Sequence, residues 1–329
     1  MATGTLFILA VIMIAYLFDF INGFHDAANS IATIVTTGVL TPRQAVLWAA
    51  FFNFIAFLIF NLMVAKTIGS GLIDTSIVDA SLILSALIGA IFWNLVTWYY
   101  GLPSSSSHAL IGGLAGAALA KGGVSSLKFA GFAKVIAGIF LSPAVGLVIG
   151  FLLTFLFSNL FRNNSETTLN KLFKGFQLAS SALLSLTHGG NDAQKTMGII
   201  AVLLFSANWL GDTFYVPFWV VISCHFVISL GTLAGGWRIV HTMGTKITKL
   251  NTLRGCAAET GAAIMIFTAT EYGIPVSTTH TVTGSIAGVG LINGLSGTYW
   301  PVMRRIFLSW LFTIPAAAVV SAGLMLTIG

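Results

Sequence analysis

Hydroxyl side chains follow a proline twice in this chain, in "GLPSSSSHALIGGLAG" (101–116) and in "GIPVSTTHTVTGSIAG" (273–288). Proline suits the first turn of a helix, where its missing N–H leaves no bond unmade. Pro103 and Pro275 therefore predict helix starts. Ser104, Ser105, Ser106 and Ser107 in one copy, and Ser277, Thr278 and Thr279 in the other, fall beside free backbone N–H groups. A helix N-terminus attracts anions, because its unpaired donors and its dipole point the same way. Two such ends facing each other would clamp a tetrahedral oxyanion. Hydroxyls that only bond back to carbonyls where helices approach would explain a single run equally well. Two copies in the same Pro-x-Ser-hydroxyl-hydroxyl-His order favour binding. His108 and His280 close the motifs; we read them as structural hydrogen-bonding groups, with sensing of substrate protonation as the alternative. Gly112 with Gly116, and Gly284 with Gly288, form small-xxx-small pairs, a helix-packing signature.

Carboxylates sit where apolar residues belong. "FDFINGFHDAANSIATIV" (18–35) holds Asp19, Asn22, Asp26 and Asn29, and "THGGNDAQKTMG" (187–198) holds Asn191, Asp192 and Gln194. An aspartate in mid-membrane costs at least ~2.5–3.5 kcal/mol, so it is retained for a partner. One helix over residues 4–40 would be about 55 Å long, against roughly 30 Å of hydrocarbon. The spacing therefore predicts that the chain breaks at "INGFHDAAN" and at "THGGNDAQ". Broken helices expose carbonyls and carboxylates that coordinate Na⁺ or carry H⁺. Asn22, Asp26, Asn29, Asn191, Asp192 and Glu259 are the candidates for a coupling cation, with Na⁺ placed at Asp26 and Asp192 if a metal ion is used. Gln194 is assigned to the anion. Lys195 or a bound cation is the expected partner of Glu259. Asp19 is read as interfacial or capping, Asn53 and Asn94 as polar links between helices, and Glu271 as solvated.

The elements that hold these groups are membrane helices. Hydrophobic residues make up 57% of the chain and charged residues 7%, with mean hydropathy +0.95. A soluble domain carries roughly 25% charged residues. Ten main hydrophobic segments recur, each long enough for a span or a re-entrant turn. "MATGTLF" lacks a basic leader region and reads as the start of a retained span. Cys224 and Cys256 lie in apolar segments without metal-ligand spacing and read as small buried residues. The net charge of +6 needs no nucleic acid, since Lys and Arg gather in cytoplasmic loops of membrane proteins.

"FRNNSETTLNKLFKGF" (161–176) is the most polar interruption and divides the chain. The expected organisation is a first repeat at 1–160, a short cytoplasmic linker at 161–175 and a second repeat at 176–329. The linker, the basic run 237–255 and Arg304–Arg305 fall on one side, which the positive-inside rule makes cytoplasmic. Asp74, Asp79, Asp212 and both termini then face outward, and Lys121, Lys128 and Lys134 run against the rule. The two hydroxyl motifs share seven of sixteen positions without gaps, and Asp26 aligns with Asp192. Five segments per half, an odd number, put the second copy in upside down. That is the inverted-repeat plan of secondary transporters, with the site at the repeat interface near the midplane. The expected fold is an all-α membrane protein of about ten to twelve transmembrane or re-entrant segments, with broken helices at the midplane.

The paired aspartate motifs and "GLPSSSSH" with "GIPVSTTH" resemble the two signature repeats of the inorganic phosphate transporter (PiT) family, over essentially the whole chain. The resemblance implies a carrier that imports phosphate with H⁺ or Na⁺ by alternating access, with phosphate on the Ser/Thr motifs and cations near the aspartates. The family's fuller pattern is Gly-x-Asn-Asp-x-x-Asn in both halves. Here His25 precedes Asp26, and Lys195 stands where the first copy has Asn29. A fixed lysine supplies one cation charge and argues against two symmetric Na⁺ sites. The resemblance is to the bacterial branch, which implies the plasma (inner) membrane, H⁺ coupling and metal–phosphate complexes as cargo, with a homodimer left open. No cofactor is expected.

Three other readings compete. A sulfate carrier on the same scaffold differs by proton chemistry: phosphate keeps a hydroxyl that donates to an aspartate, and sulfate does not. An intramembrane Ser/His/Asp hydrolase needs one activated serine beside an oriented base, whereas these hydroxyls come in duplicated runs. A channel does not need carboxylates and an anion site meeting at one point.

Overall fold

The computed structural model describes the backbone of residues 2–329 and the side chains of residues 4–329. Twelve α-helices carry nearly all of it: α1 (Ala2–Thr36), α2 (Pro42–Ile55), α3 (Met63–Ser70), α4 (Ala80–Tyr99), α5 (Ser106–Gly122), α6 (Phe129–Leu160), α7 (Glu166–Ser206), α8 (Phe218–Ala234), α9 (Trp237–Thr245), α10 (Thr252–Glu271), α11 (Thr278–Gly290) and α12 (Trp300–Ile328). Four of these are long and apolar enough to cross a membrane, or up to six if each bent pair counts as one span.

Polar caps fix where helices begin. Thr41 and Gln44 form a capping box ahead of α2, with Pro42 in its first turn, and Asp79 accepts from Leu82 N–H at the start of α4 (2.9 Å). Asp79 also pairs with Lys121 at 2.5 Å, and the Lys128 ammonium donates to Ser70 O at 2.8 Å. Lys121 and Lys128, two of the lysines expected to run against the charge rule, thus have polar partners. Asp79→Ala is expected to cost about 1 kcal/mol through the lost cap, read as a lower unfolding temperature in detergent.

The predicted breaks at the aspartate motifs do not occur. α1 and α7 run unbroken through them for 35 and 41 residues. Their glycines serve close packing instead: a Cβ on Gly23 would lie 2.1 Å from Ile228 O, and one on Gly189 would lie 2.6 Å from Asn53 O. The excess length of α7 projects into the linker, whose residues 166–175 are its first turns, leaving only a short turn between α6 and α7. The chain bends elsewhere, by 83° between residues 58 and 63 and by 72° at Gly235–Gly236. Gly235 has φ +69°, a left-handed value that favours glycine.

The succession α1–α6 recurs as α7–α12: a long aspartate-bearing helix, a bent pair, a 20-residue helix, a short helix after a Pro–hydroxyl motif, and a long helix with an internal proline. α5 packs against α12 and α6 against α11, so each short helix is clasped by the other half's last helix. The small-residue pairs make this possible. A Cβ on Gly116 would meet Ala318 O at 2.1 Å, and one on Gly288 would meet Leu147 O at 2.1 Å.

Candidate functional site

The proline-led runs do start helices. Ser105 is the N-cap of α5, where its hydroxyl accepts from His108 N–H at 3.2 Å, and Ser277 caps α11 in the same way through His280 N–H at 3.1 Å. The two N-termini converge: the His108 and His280 rings meet edge to face with centroids 4.6 Å apart. Trp310 on α12 braces both, stacking on His280 at 3.8 Å and donating from its indole N–H to Pro103 O at 2.9 Å.

α1 and α7 bring their charged groups to these ends. Lys195 is 1% exposed, and its ammonium donates to Asp192, to Ser107 Oγ and to Val276 O, the last at 3.0 Å. It therefore ties the α7 carboxylate to both hydroxyl motifs at once. Thr278 donates to Asp192 Oδ2 at 3.0 Å, and Thr279 to Asp26 Oδ1 at 3.4 Å. The Asn29 amide donates to both threonines, at 3.1 and 3.0 Å. His25 Nδ1 sits 2.7 Å from Asp26 Oδ1, and His188 Nε2 sits 3.1 Å from Asp192 Oδ2. Ligand atoms of Asp26, His188 and Asp192 all lie within 4.8 Å of one another. Every one of these side chains is buried. Two carboxyl groups and one amine thus share one buried centre.

The remaining candidates make none of these contacts. Ser104 faces Thr313 at 2.7 Å, Ser106 is buried beside the α5 cap, and Asn22 is buried one turn before Asp26. Asn191 turns away to donate to Thr270 on α10 at 2.8 Å. Gln194, assigned to the anion, instead spends its amide on backbone at the bend before α3: it donates to Asn61 O and Gly190 O and accepts from Ala65 N–H. The bend leaves Asn61 O and Ala65 N–H to the buried amide, while Gly190 O lies one turn back in α7 itself. Glu259 does not meet Lys195. It accepts from Thr33 (2.6 Å), Gln177 (2.9 Å) and Ser180, because α10 meets α1 and α7 there, one turn of α1 beyond Asn29. Asp19 is neither interfacial nor capping; it is buried and accepts from Thr196 at 2.7 Å. Asn53 links α2 to Thr232 at 2.9 Å and to His188 at 3.2 Å. Asn94 is buried with no side-chain hydrogen bond among the described residues. Glu271 is exposed and bonds Asn61 at 3.1 Å.

The sequence reading missed His188. Its signal was present: it stands four residues before Asp192, and Lys195 stands three after, the spacings that share a helix face.

A family model described as the Phosphate transporter family matches residues 22–321. The chain belongs to this family. A relative from Rhizobium meliloti, named a probable low-affinity inorganic phosphate transporter, is 58% identical over 315 residues, covering 96% of this chain and 94% of that one. A Bacillus subtilis protein of the same name is 44% identical over 314 residues, covering 95% and 94%. A solved structure named the sodium-dependent phosphate transporter aligns with a TM-score of 0.89 at 26% identity, covering 98% of both chains. Within this family member the two aspartate motifs are chemically unequal. Where the first supplies the Asn29 amide, the second supplies the Lys195 ammonium, held by a carboxylate, a hydroxyl and a carbonyl. That donor set is of the hard oxygen type that suits alkali and alkaline-earth cations.

Proposed function

We propose that this chain is a secondary active transporter that imports inorganic phosphate together with a cation, by alternating access. The observation that carries the reading is the convergence of two capped helix N-termini, two buried carboxylates and Lys195 on one centre. Phosphate binds the first turns of α5 and α11, with Ser105–Ser107 and Ser277–Thr279 donating alongside the backbone N–H groups. Because burying a phosphate dianion beside two carboxyl groups is costly, its entry requires compensating cations. Asp26 with Asn29, and Asp192 with Thr278, are the groups that would hold them, and Glu259 is a further cation position.

H⁺ and Na⁺ both remain coupling candidates. The sodium-dependent structural relative favours Na⁺, and Lys195 in one of the two motifs favours H⁺. The Asp26–His188–Asp192 grouping also suits a divalent ion carried as a metal–phosphate complex, since imidazole adds a softer ligand to two carboxylates. We assign residues 1–160 and 176–329 to two inverted repeats, the recurring helix succession supporting that division. The protein is placed in a bacterial plasma membrane with both termini outside and the α6–α7 turn in the cytoplasm.

Uptake of labelled phosphate into proteoliposomes, under a Na⁺ gradient or a pH gradient applied alone, tests the reading. Acceleration by either gradient is expected, with counterflow of labelled phosphate as a carrier requires. Absence of phosphate uptake alongside sulfate uptake would overturn the substrate. Lys195→Asn restores the residue type of the first motif and is expected to raise Na⁺ dependence; an unchanged ion preference would remove Lys195 from the coupling role. Sulfate is the second reading; it lacks the hydroxyl that phosphate would donate to Asp26 or Asp192. Asp26→Asn is expected to narrow the phosphate-over-sulfate preference, measured by competition.

A further inference from the structure

We propose that the groove between α6 and α12 binds one anionic phospholipid, whose acyl chain lies against Trp310 and supports the brace behind the anion site. The uptake part of this proposal rests on the transport reading; the binding part does not.

The groove has a volume of about 420 Å³ and is walled by Phe140, Pro143 and Leu147 of α6 and by Met303, Trp310 and Ile314 of α12. Gly284 and Ala287 of α11 form its floor. On α12 the residues Trp300, Met303, Phe307, Trp310 and Ile314 recur at helical spacing and form one stripe. From Trp300 to Trp310 that stripe rises about 15 Å, which is half of the roughly 30 Å hydrocarbon core and so the depth of one leaflet. An acyl chain entering at Trp300 reaches Trp310 without leaving its own leaflet.

The mouth of the groove supplies the headgroup chemistry. A second depression shares Trp300, Met303, Phe307 and Trp310 with the groove and adds Arg304 and Arg305. Both arginines are exposed. Neither takes part in any ion pair among the described residues, and no Asp or Glu lines either depression. Two unpaired guanidiniums beside an interfacial tryptophan match a phosphate-bearing headgroup with net negative charge. A second copy of this chain offers no such complement, because it would bring its own Arg304 and Arg305 to the same rim under two-fold symmetry.

Trp310 gives the occupant a consequence. The same indole that lines the groove stacks on His280 and bonds Pro103 O, so it spans both hydroxyl motifs. A chain packed on its outer face limits its freedom to leave that position.

The test compares the intact protein with Arg304→Gln/Arg305→Gln and with Ala144→Trp, which fills the groove. Retention of phosphatidylglycerol against phosphatidylcholine is read by native mass spectrometry, and uptake is read in liposomes of stepped phosphatidylglycerol content. The wild type is expected to prefer phosphatidylglycerol, with the preference falling about fivefold per arginine removed. Ala144→Trp should retain neither lipid. Uptake should rise with phosphatidylglycerol in the wild type and stay flat in both variants. Equal retention of the two lipids by the wild type overturns the proposal, as does an undiminished preference in the double variant. Disulfide-linked dimers formed through Leu311→Cys in native membranes overturn it as well, since a second copy then holds the groove. Retention as expected with no uptake in any lipid supports the lipid site and rejects the transport reading.

Discussion

Asp192→Ala is expected to abolish phosphate uptake and to cost the fold about 3–5 kcal/mol, the usual penalty for removing one partner of a buried pair. The Lys195 ammonium is left 1% exposed beside Ser107 and Val276 O, without the carboxylate it contacts. His188 and Thr278 lose their common acceptor in the same step. Stability and transport should separate in the double variant Asp192→Asn/Lys195→Gln, where neither position carries charge. That protein is expected to recover most of the lost melting temperature in detergent and still transport at least about a hundredfold more slowly than wild type, a deficit on the scale of a lost charged contact at a binding centre. Wild-type uptake by Asp192→Ala would remove the pair from the transport site. An equally unstable double variant would show that burial geometry, and not the unpaired charge, sets the cost.

Gly116→Leu is expected to prevent the folded protein from accumulating. The added Cβ would lie 2.1 Å from Ala318 O and 2.6 Å from Ala318 Cα. Those are backbone atoms of α12, so no side-chain rotation relieves the contact, and the helices must separate. Separation moves the Pro103 end of α5 away from Trp310 and costs packing along the whole α5–α12 seam, well beyond the ~1–3 kcal/mol of an ordinary overpacked core. Gly288→Leu makes the matching clash with Leu147 O at 2.1 Å and should behave alike. Gly323, where a Cβ meets nothing within 4 Å, serves as the control: Gly323→Leu should express and transport normally. Size-exclusion profiles of the solubilised variants decide between these outcomes. A monodisperse, wild-type-like Gly116→Leu would mean that α5 and α12 tolerate more distance than their contact implies.

Much of the site was legible in the sequence because it rests on local rules. Proline before a run of hydroxyls dictates a capped helix start wherever the chain lies, and Ser105 and Ser277 do cap α5 and α11. A carboxylate in an apolar run demands a partner, and Asp26 and Asp192 have theirs. Duplication at matched spacing made it reasonable to expect the two motifs to meet.

The misreadings all concern groups whose partners are remote in sequence. The length argument predicted breaks in α1 and α7, but glycines that looked like helix breakers fit against Ile228 and Asn53 on other helices, and the backbone stays paired. Gln194 is three residues from Asn191 and one from Lys195, yet it serves the bend at residues 61–65. Glu259 was matched to Lys195 or a bound cation; Lys195 is held elsewhere, and Thr33, Gln177 and Ser180 are the donors that α1 and α7 bring to it. The sequence by itself determined that helices start at the hydroxyl motifs and that the aspartates are buried, since capping and the cost of burying charge act within a few residues. Only the tertiary structure decided which groups share the centre, because a buried polar atom bonds whichever partner packing delivers, and helix packing is set by contacts spread over the whole chain.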